Sequence, residues 1–181
     1  MRPNYKPNLK NRPPHIYKGN GLYFITCRTI DGQWFLRPDE YKQIILDILF
    51  AKSKKNSFPL IACAILQNHY HAIFDIKAGN QLSKFMREIN GASAREINKA
   101  DHVIERKVWW NYFDTSLLNE AEFFCHLNYI HQNPIKHGLS KDFEYDFSSY
   151  NSWVKKKGRA YLNHSFEKYP VIDFKVLNDE F

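Results

Sequence analysis

The stretch FPLIACAILQNHYHAIFDI, residues 58 to 76, predicts two β-strands joined by a short hairpin-like connection. Both halves are predominantly apolar, and the second begins with His69 and His71 on either side of Tyr70. Side chains alternate along a strand, so both imidazoles should lie on one side and Tyr70 on the other. Taken alone, the pair is either two ordinary histidines on a solvent-facing strand or two ligands of an incomplete metal site.

Five further segments complete the predicted fold. They are a strand at 21–29, a helix at 37–56, a helix at 80–100, a strand at 107–118 and a helix at 119–133, the last stopped by Pro134. The order strand, helix, strand, strand, helix, strand is typical of an α+β ferredoxin-like fold with a split β-α-β antiparallel sheet. We expect helices on one face of the sheet and an additional C-terminal helix that carries Tyr129. After residue 139 we expect loops, including KKKGR at 155–159.

Length and charge indicate the domain organisation and the kind of partner. The chain has 181 residues, of which 44% are hydrophobic, and this suits one compact domain. Residues 1–20 hold basic side chains, four of the eight prolines and no acidic residue, which predicts an extended N-terminal arm. We place the folded domain at 21–154 and a C-terminal extension at 155–181. The net charge of +7 and the pI of about 9.2 favour a polyanionic partner, with nucleic acid first.

Cysteine usage and hydropathy indicate the compartment. Cys27, Cys63 and Cys125 show no CxxC spacing, which argues against a disulfide framework or a zinc knuckle. Cys27 and Cys63 lie in apolar runs, so we expect buried free thiols in a reducing cytoplasm. The start of the chain lacks a signal-peptide core, and no run approaches the roughly 18 apolar residues that span a membrane. We therefore expect a soluble cytoplasmic protein with no membrane partner.

A second motif, LNYIHQNPIKHGL at residues 127–139, contains a candidate third metal ligand and a candidate nucleophile to accompany the histidine pair. Tyr129 and Asn133 are four residues apart on the predicted helix and share a face. The amide oxygen of Asn133 is a ligand that Mg²⁺ or Mn²⁺ accepts, and a tyrosine oxygen beside a Lewis acid is a plausible nucleophile. The alternatives are an ordinary core tyrosine and a helix-end asparagine before proline. His126 lies one turn before Tyr129 and serves either proton transfer or packing.

Basic side chains on the helix at 80–100 are candidates for contact with a nucleic-acid backbone. They fall on the side opposite the apolar face, where they either track phosphates or form a solvated helix surface. The N-terminal arm and the segment that follows the Tyr129 helix add further basic candidates. The complete set of candidate DNA-binding residues is Arg12, Lys84, Arg87, Arg95, Lys99 and Lys136.

Three motifs in order, LQNHYHAIF, LSKFMREINGASAREIN and NYIHQNPIKHGL, resemble those of a known family. The sequence is similar to the single-tyrosine HUH transposases, in the branch associated with repetitive extragenic palindromes (REP), from about YFITCRT to SSYNSW. HUH denotes two histidines around a hydrophobic residue. Tyr70 is bulkier than the usual middle residue, and LQN stands where methionine, proline and asparagine are common. Because Tyr70 points away from the pair, we expect little effect on metal binding.

The resemblance implies a site and a reaction. His69, His71 and Asn133 would hold a divalent ion, Mg²⁺ or Mn²⁺, and Tyr129 would be the nucleophile. The substrate would be single-stranded DNA folded as a hairpin, cut and rejoined through a 5′-phosphotyrosine intermediate in the bacterial cytoplasm. The protein would act as a monomer or a homodimer.

Three other functions stay open at this point. One is a nickase of a replication or mobilisation system that uses the same chemistry. Another is a domesticated hairpin-binding protein without catalysis. The third is an RNA-binding ferredoxin-like domain, which needs exposed aromatic side chains on the strand where the histidines stand.

Overall fold

A computed structural model describes residues 19–171 of the chain. The elements are β1 (Gly21–Thr29), α1 (Asp39–Asn56), β2 (Leu60–Ile65), β3 (His69–Ile76), α2 (Leu82–Ala100), β4 (Trp109–Leu117), α3 (Glu120–Lys136), α4 (Tyr150–Lys157) and α5 (Arg159–Lys168). The strands form one sheet in the order β2-β3-β1-β4, and every neighbouring pair is antiparallel. The predicted α+β fold with a split β-α-β antiparallel sheet is confirmed. Arg12 and all but the last two residues of the predicted arm lie outside the described residues.

The two faces of the sheet carry separate apolar cores. On one face, side chains such as Ile25 and Phe74 pack against α1 and α2. On the other, Phe24 and Ile73 pack against α3 through Leu127 and its neighbours. Adjacent strand residues therefore belong to opposite cores, as the alternation of side chains requires. The first two helices share a face as predicted, and the additional helix covers the opposite one.

Helix α3 begins at a well-formed cap and continues past the point where we predicted its end. Asn119 accepts a hydrogen bond from the Glu122 backbone N–H at 2.9 Å, which satisfies one of the donors at the helix start. The predicted stop at Pro134 is wrong, because the helix continues to Lys136. Proline removes a single N–H donor, and this turn is buried, so packing holds it helical despite that loss. Asn133 is consequently inside the helix.

The prediction of loops after residue 139 holds for residues 140–149 and is wrong from residue 150 to residue 168, where α4 and α5 lie. Both helices are short, and their propensity signal is weak; tertiary contacts hold them in place. Ser149 accepts from the backbone N–H of Cys63 at 3.0 Å, and Trp153 donates to the Ile61 carbonyl at 2.9 Å. Gly158, with φ of 86°, separates the two helices inside the predicted KKKGR loop. The predicted domain end at residue 154 falls within α4, and the domain boundaries stay predictions.

Two expectations from composition concern thiols and membranes. Cys27 and Cys63 are free and buried, whereas Cys125 is half-buried. Burial raises the pKa of both buried thiols to about 12. Across residues 19–171, none of the helices combines the length and the hydropathy needed to cross a bilayer.

Candidate functional site

His69 and His71 lie side by side on the α3 face of the sheet. Their ring centroids are 4.9 Å apart, and the side chains are 1% and 0% exposed. The alternative of two histidines on a solvent-facing strand is therefore wrong. Tyr70 points the other way, as predicted, and its hydroxyl donates to Asn90 of α2 at 3.0 Å.

Each imidazole is oriented through its Nδ1 atom. The His69 Nδ1 lies 2.7 Å from the Asn68 amide oxygen, and the Asn68 amide nitrogen donates to the Gly32 carbonyl at 3.2 Å. Because the Asn68 oxygen can only accept, His69 Nδ1 carries the proton and Nε2 keeps its lone pair. The His71 Nδ1 lies 2.8 Å from the Thr26 hydroxyl, which can play the same part. Such partners fix the tautomer and the ring orientation of metal-binding histidines.

Helix α3 places Tyr129 and Asn133 over the histidines. The rings of Tyr129 and His71 meet edge to face with centroids 5.0 Å apart. Asn133 lies one turn further along, against His69, and His137 follows with its ring 5.1 Å from that of His69. The line at positions 129, 133 and 137 follows from the four-residue spacing of one helix face. The structure thus brings together the four residues expected for metal binding and nucleophilic attack.

The donor set fits a divalent ion. His71 Nε2 and both polar atoms of the Asn133 amide are buried without a well-aligned hydrogen bond to the described residues, although Asn133 lies close enough to His69 to raise its pKa. Orphaned buried polar atoms are costly unless a ligand satisfies them. Within residues 19–171 there is no group of three or more His, Cys, Asp or Glu side chains placed to hold a metal, so the set depends on the Asn133 oxygen. Two imidazoles and one amide oxygen leave coordination positions for water or substrate oxygens.

Electrostatics keeps both imidazoles neutral. Burial lowers the pKa of His69 to about 3, with further lowering by His137, Arg28 and Lys136 and an opposing effect of Asn133. Burial also lowers the pKa of His71 well below its usual value, and the neighbouring histidines act in the same direction. Neutral imidazole is the form that can bind a metal.

A pocket of about 450 Å³ opens beside Tyr129 and Asn133. Lys136, Phe143 and Val171 also line it, and the Lys136 ammonium lies 5.7 Å from the centroid of the Tyr129 ring. Its volume falls in the range of small-ligand sites. The Tyr129 side chain is only 2% exposed, so the pocket meets the edge of a largely buried ring.

The remaining predicted residues divide between two places. Lys136 lies at the pocket, whereas Lys84, Arg87, Arg95 and Lys99 are exposed on α2. The apolar side of α2 packs on the sheet face opposite the histidines, so its basic surface is remote from Tyr129. His126 approaches Phe24 with ring centroids 4.6 Å apart, and its Nδ1 lies 2.7 Å from the Glu122 carbonyl, contacts that favour packing over proton transfer.

Sequence reasoning missed Thr26 and Arg28 at this site. Both have the same parity on β1, and the register pairs them with His71 and His69, so all four share one face of the sheet. The alternation was readable in YFITCRT, but the register between β1 and β3 was not. Asn68 belonged to a quoted motif, yet its bond to His69 required the structure.

Comparisons with known proteins agree with this fold. The family model described as Transposase IS200 like matches residues 24–133. A REP-associated tyrosine transposase of Escherichia coli (strain K12) is 24% identical over 144 residues, which cover 77% of this chain and 82% of that protein. A solved structure of a REP-associated tyrosine transposase bound to a REP hairpin superposes with a TM-score of 0.67 at 22% identity, covering 80% of this chain and 86% of the other. At this identity the structural likeness shows the fold alone.

Proposed function

This chain belongs to the IS200-like transposase family, whose model spans more than half of it, and we propose that it is a metal-dependent single-stranded DNA transposase and endonuclease. It would cleave and rejoin DNA at hairpin sites, formed by palindromic repeats, through a 5′-phosphotyrosine intermediate. One observation carries the proposal: α3 sets Tyr129 and Asn133 directly against two buried, neutral and oriented imidazoles. A purely structural histidine pair would not need this arrangement.

The reaction assigns a task to each residue. His69, His71 and Asn133 would hold Mg²⁺ or Mn²⁺, which when bound supplies Lewis-acid stabilisation of charge on the phosphate. The Tyr129 oxygen attacks phosphorus in line, its proton passes to a water or a substrate oxygen, and the bond from phosphorus to the 3′-oxygen breaks. The products are a 5′-phosphotyrosine and a free 3′-hydroxyl, so a second 3′-hydroxyl can reverse the step and join new ends. No external energy source is needed.

The positive surroundings of the site support an anionic substrate. Lys136 lies beside the Tyr129 ring, and Arg28 and Lys136 both act on His69 as positive charges. Within the described residues, no carboxylate is among the groups that shift the pKa of either histidine. A phosphodiester is therefore attracted to the mouth of the site, in keeping with the net charge of +7.

A hairpin-binding protein without catalysis is the second candidate, and the burial of Tyr129 favours it. A side chain that is 2% exposed must move or be uncovered before its oxygen reaches phosphorus. Such a protein would bind hairpins tightly and form no covalent bond to DNA.

A covalent-adduct assay separates the two candidates. Wild type and Tyr129→Phe are incubated with 5′- and 3′-labelled hairpin single strands, taken from DNA flanking the protein's own gene, with Mn²⁺ or with EDTA. Tyr150→Phe is the matched control, because Tyr150 is also 2% exposed but lies in α4. We expect an adduct on the 3′-side fragment that requires Mn²⁺ and Tyr129 and survives in Tyr150→Phe. Tight binding by wild type with no adduct would replace the proposal by the binding protein.

A further inference from the structure

Arg28 stands in a cross-strand row with one of the candidate metal ligands. In the sheet register it pairs with His69 of β3 on one side and with Asn111 of β4 on the other. Directly opposed residues of antiparallel strands point to the same face, with Cβ atoms about 5 Å apart. A cation and an amide therefore continue the row that the histidine begins. Arg28 and Asn111 are half-buried, so these two members of the row are partly open to solvent, whereas His69 is buried.

The guanidinium of Arg28 lies against the turn that follows β1. A Cβ atom on Gly32 would lie 2.9 Å from a terminal nitrogen of Arg28, so the guanidinium rests against the backbone at that position. Gly32 has φ of 65°, a conformation that favours glycine. Its carbonyl accepts from Asn68, which in turn orients His69. The Arg28 guanidinium and Asn68, the partner of His69, thus both adjoin the same short turn.

The pairing of β1 with β4 changes register at this point. A bulge separates Arg28, opposite Asn111, from Thr29, opposite Trp109. Bulges re-aim side chains and are common beside active sites. Here the irregularity falls beside Arg28, which pairs with His69 and acts on it as a positive charge.

We propose that Arg28 contacts a non-bridging oxygen of the scissile phosphate and stabilises the negative charge that develops there when Tyr129 attacks. The inference rests on the proposed transesterification. A phosphodiester carries one negative charge and gains a second as the fifth bond to phosphorus forms, so a fixed cation stabilises the transition state more than the bound substrate. A guanidinium is suited to this task because its planar donors match a pair of phosphate oxygens.

The competing explanation is that Arg28 only braces the turn at Gly32. Substrate charge distinguishes the two roles. A methylphosphonate at the scissile position replaces one anionic oxygen by a methyl group, so an arginine that acts on this charge loses its partner. A brace of the protein backbone would matter equally for both substrates.

The experiment measures adduct formation by wild type, Arg28→Gln and Arg28→Lys on phosphodiester and methylphosphonate hairpins of one sequence. On the phosphodiester we expect Arg28→Gln to form adduct roughly 10²-fold to 10³-fold more slowly, with Arg28→Lys in between because it keeps the charge. On the methylphosphonate we expect Arg28→Gln and wild type to form adduct at rates within about threefold of each other. The substitution in the protein and the one in the substrate would then be non-additive, as a double-mutant cycle shows for two groups that interact. Arg37→Gln is the control and should form adduct at the wild-type rate. Arg37 is exposed, and its Cζ lies 5.8 Å from the centroid of the Trp34 ring. Thermal melting and hairpin affinity, expected to be close to wild type, verify folding and binding.

The outcomes separate this inference from the one it rests on. Equal defects of Arg28→Gln on both substrates, or no defect on either, would overturn the role of Arg28 while leaving Tyr129-dependent adduct formation intact. Failure of wild type itself to form any adduct would overturn the proposed function and this inference together.

Discussion

Thr26→Val tests whether the site is a metal centre, because it deletes one hydroxyl and little else. Thr26 is 6% exposed, and its Oγ1 lies 2.8 Å from Nδ1 of the fully buried His71. Valine fills the same volume but leaves Nδ1 without that partner. An unsatisfied buried donor costs about 1–3 kcal/mol of unfolding free energy. Loss of an orienting partner weakens metal binding about 10-fold to 100-fold, or about 1.4–2.8 kcal/mol at about 1.4 kcal/mol per tenfold. The expected loss of unfolding free energy and the expected loss of metal-binding free energy therefore overlap, because the same hydrogen bond contributes to both.

Titration calorimetry with Mn²⁺ and the Mn²⁺ dependence of adduct formation measure this effect. For Thr26→Val we expect the Mn²⁺ concentration at half-maximal adduct formation to rise about 10-fold to 100-fold. The rate of adduct formation at saturating Mn²⁺ should stay near that of wild type. Thr26→Ser keeps the hydroxyl and should retain wild-type affinity. Ser53→Ala removes a buried hydroxyl that donates to the Phe58 carbonyl at 2.6 Å, on the face of the sheet opposite the histidines. It should lower stability without changing Mn²⁺ affinity. Wild-type Mn²⁺ affinity in Thr26→Val would refute the assignment of His71 as an oriented ligand.

Three further predictions concern stability and reactivity. Burial lowers the pKa of His131 to about 3, so between pH 6.5 and about 3 the unfolded chain binds a proton at this residue and the folded chain does not. As the pH is lowered, His131 should therefore reduce the free energy of unfolding by up to about 1.4 kcal/mol per pH unit. In urea titrations between pH 7.5 and 5, His131→Leu should make the free energy of unfolding depend less on pH. Asn128→Leu removes the side-chain donor to the Ser165 and Tyr169 carbonyls, at 2.9 and 2.8 Å, and should release α5 to limited proteolysis and destabilise the fold by about 2–4 kcal/mol. With a thiol reagent at pH 7.5, Cys125 should react in the native state and Cys27, whose pKa burial raises to about 12, only after unfolding, which mass spectrometry of labelled peptides can follow.

The sheet could be predicted from sequence because its strands carry strong local signals. The strands beginning at Gly21 and His69 have the predicted limits, since glycine, asparagine and apolar alternation mark them directly. The orientation of the histidine pair followed from the same alternation. These properties depend on neighbours in the chain, and a single sequence contains them.

The remainder depended on contacts between distant segments. We predicted that α3 ends before Pro134 because proline lacks an N–H donor. The helix continues because that turn is buried against the rest of the protein, and this packing could not be seen in the sequence. The helices α4 and α5 exist through bonds to β2 and α3, which no local pattern reveals. Arg28 looked like any basic strand residue until the register set it opposite His69.

The alternation along β3 also separates the requirements of folding from those of chemistry. The Tyr70 and Trp109 rings pack with their centroids 5.3 Å apart, and the Tyr70 hydroxyl donates a hydrogen bond to Asn90 of α2. Loss of Tyr70 would therefore destabilise the fold. His69 and His71, in contrast, are buried polar groups whose desolvation opposes folding. Under the proposed function, one substitution at either histidine would remove the reaction and gain stability. Selection for that reaction would then maintain the two imidazoles, and a lineage released from it would keep the scaffold and its surface while the histidines change.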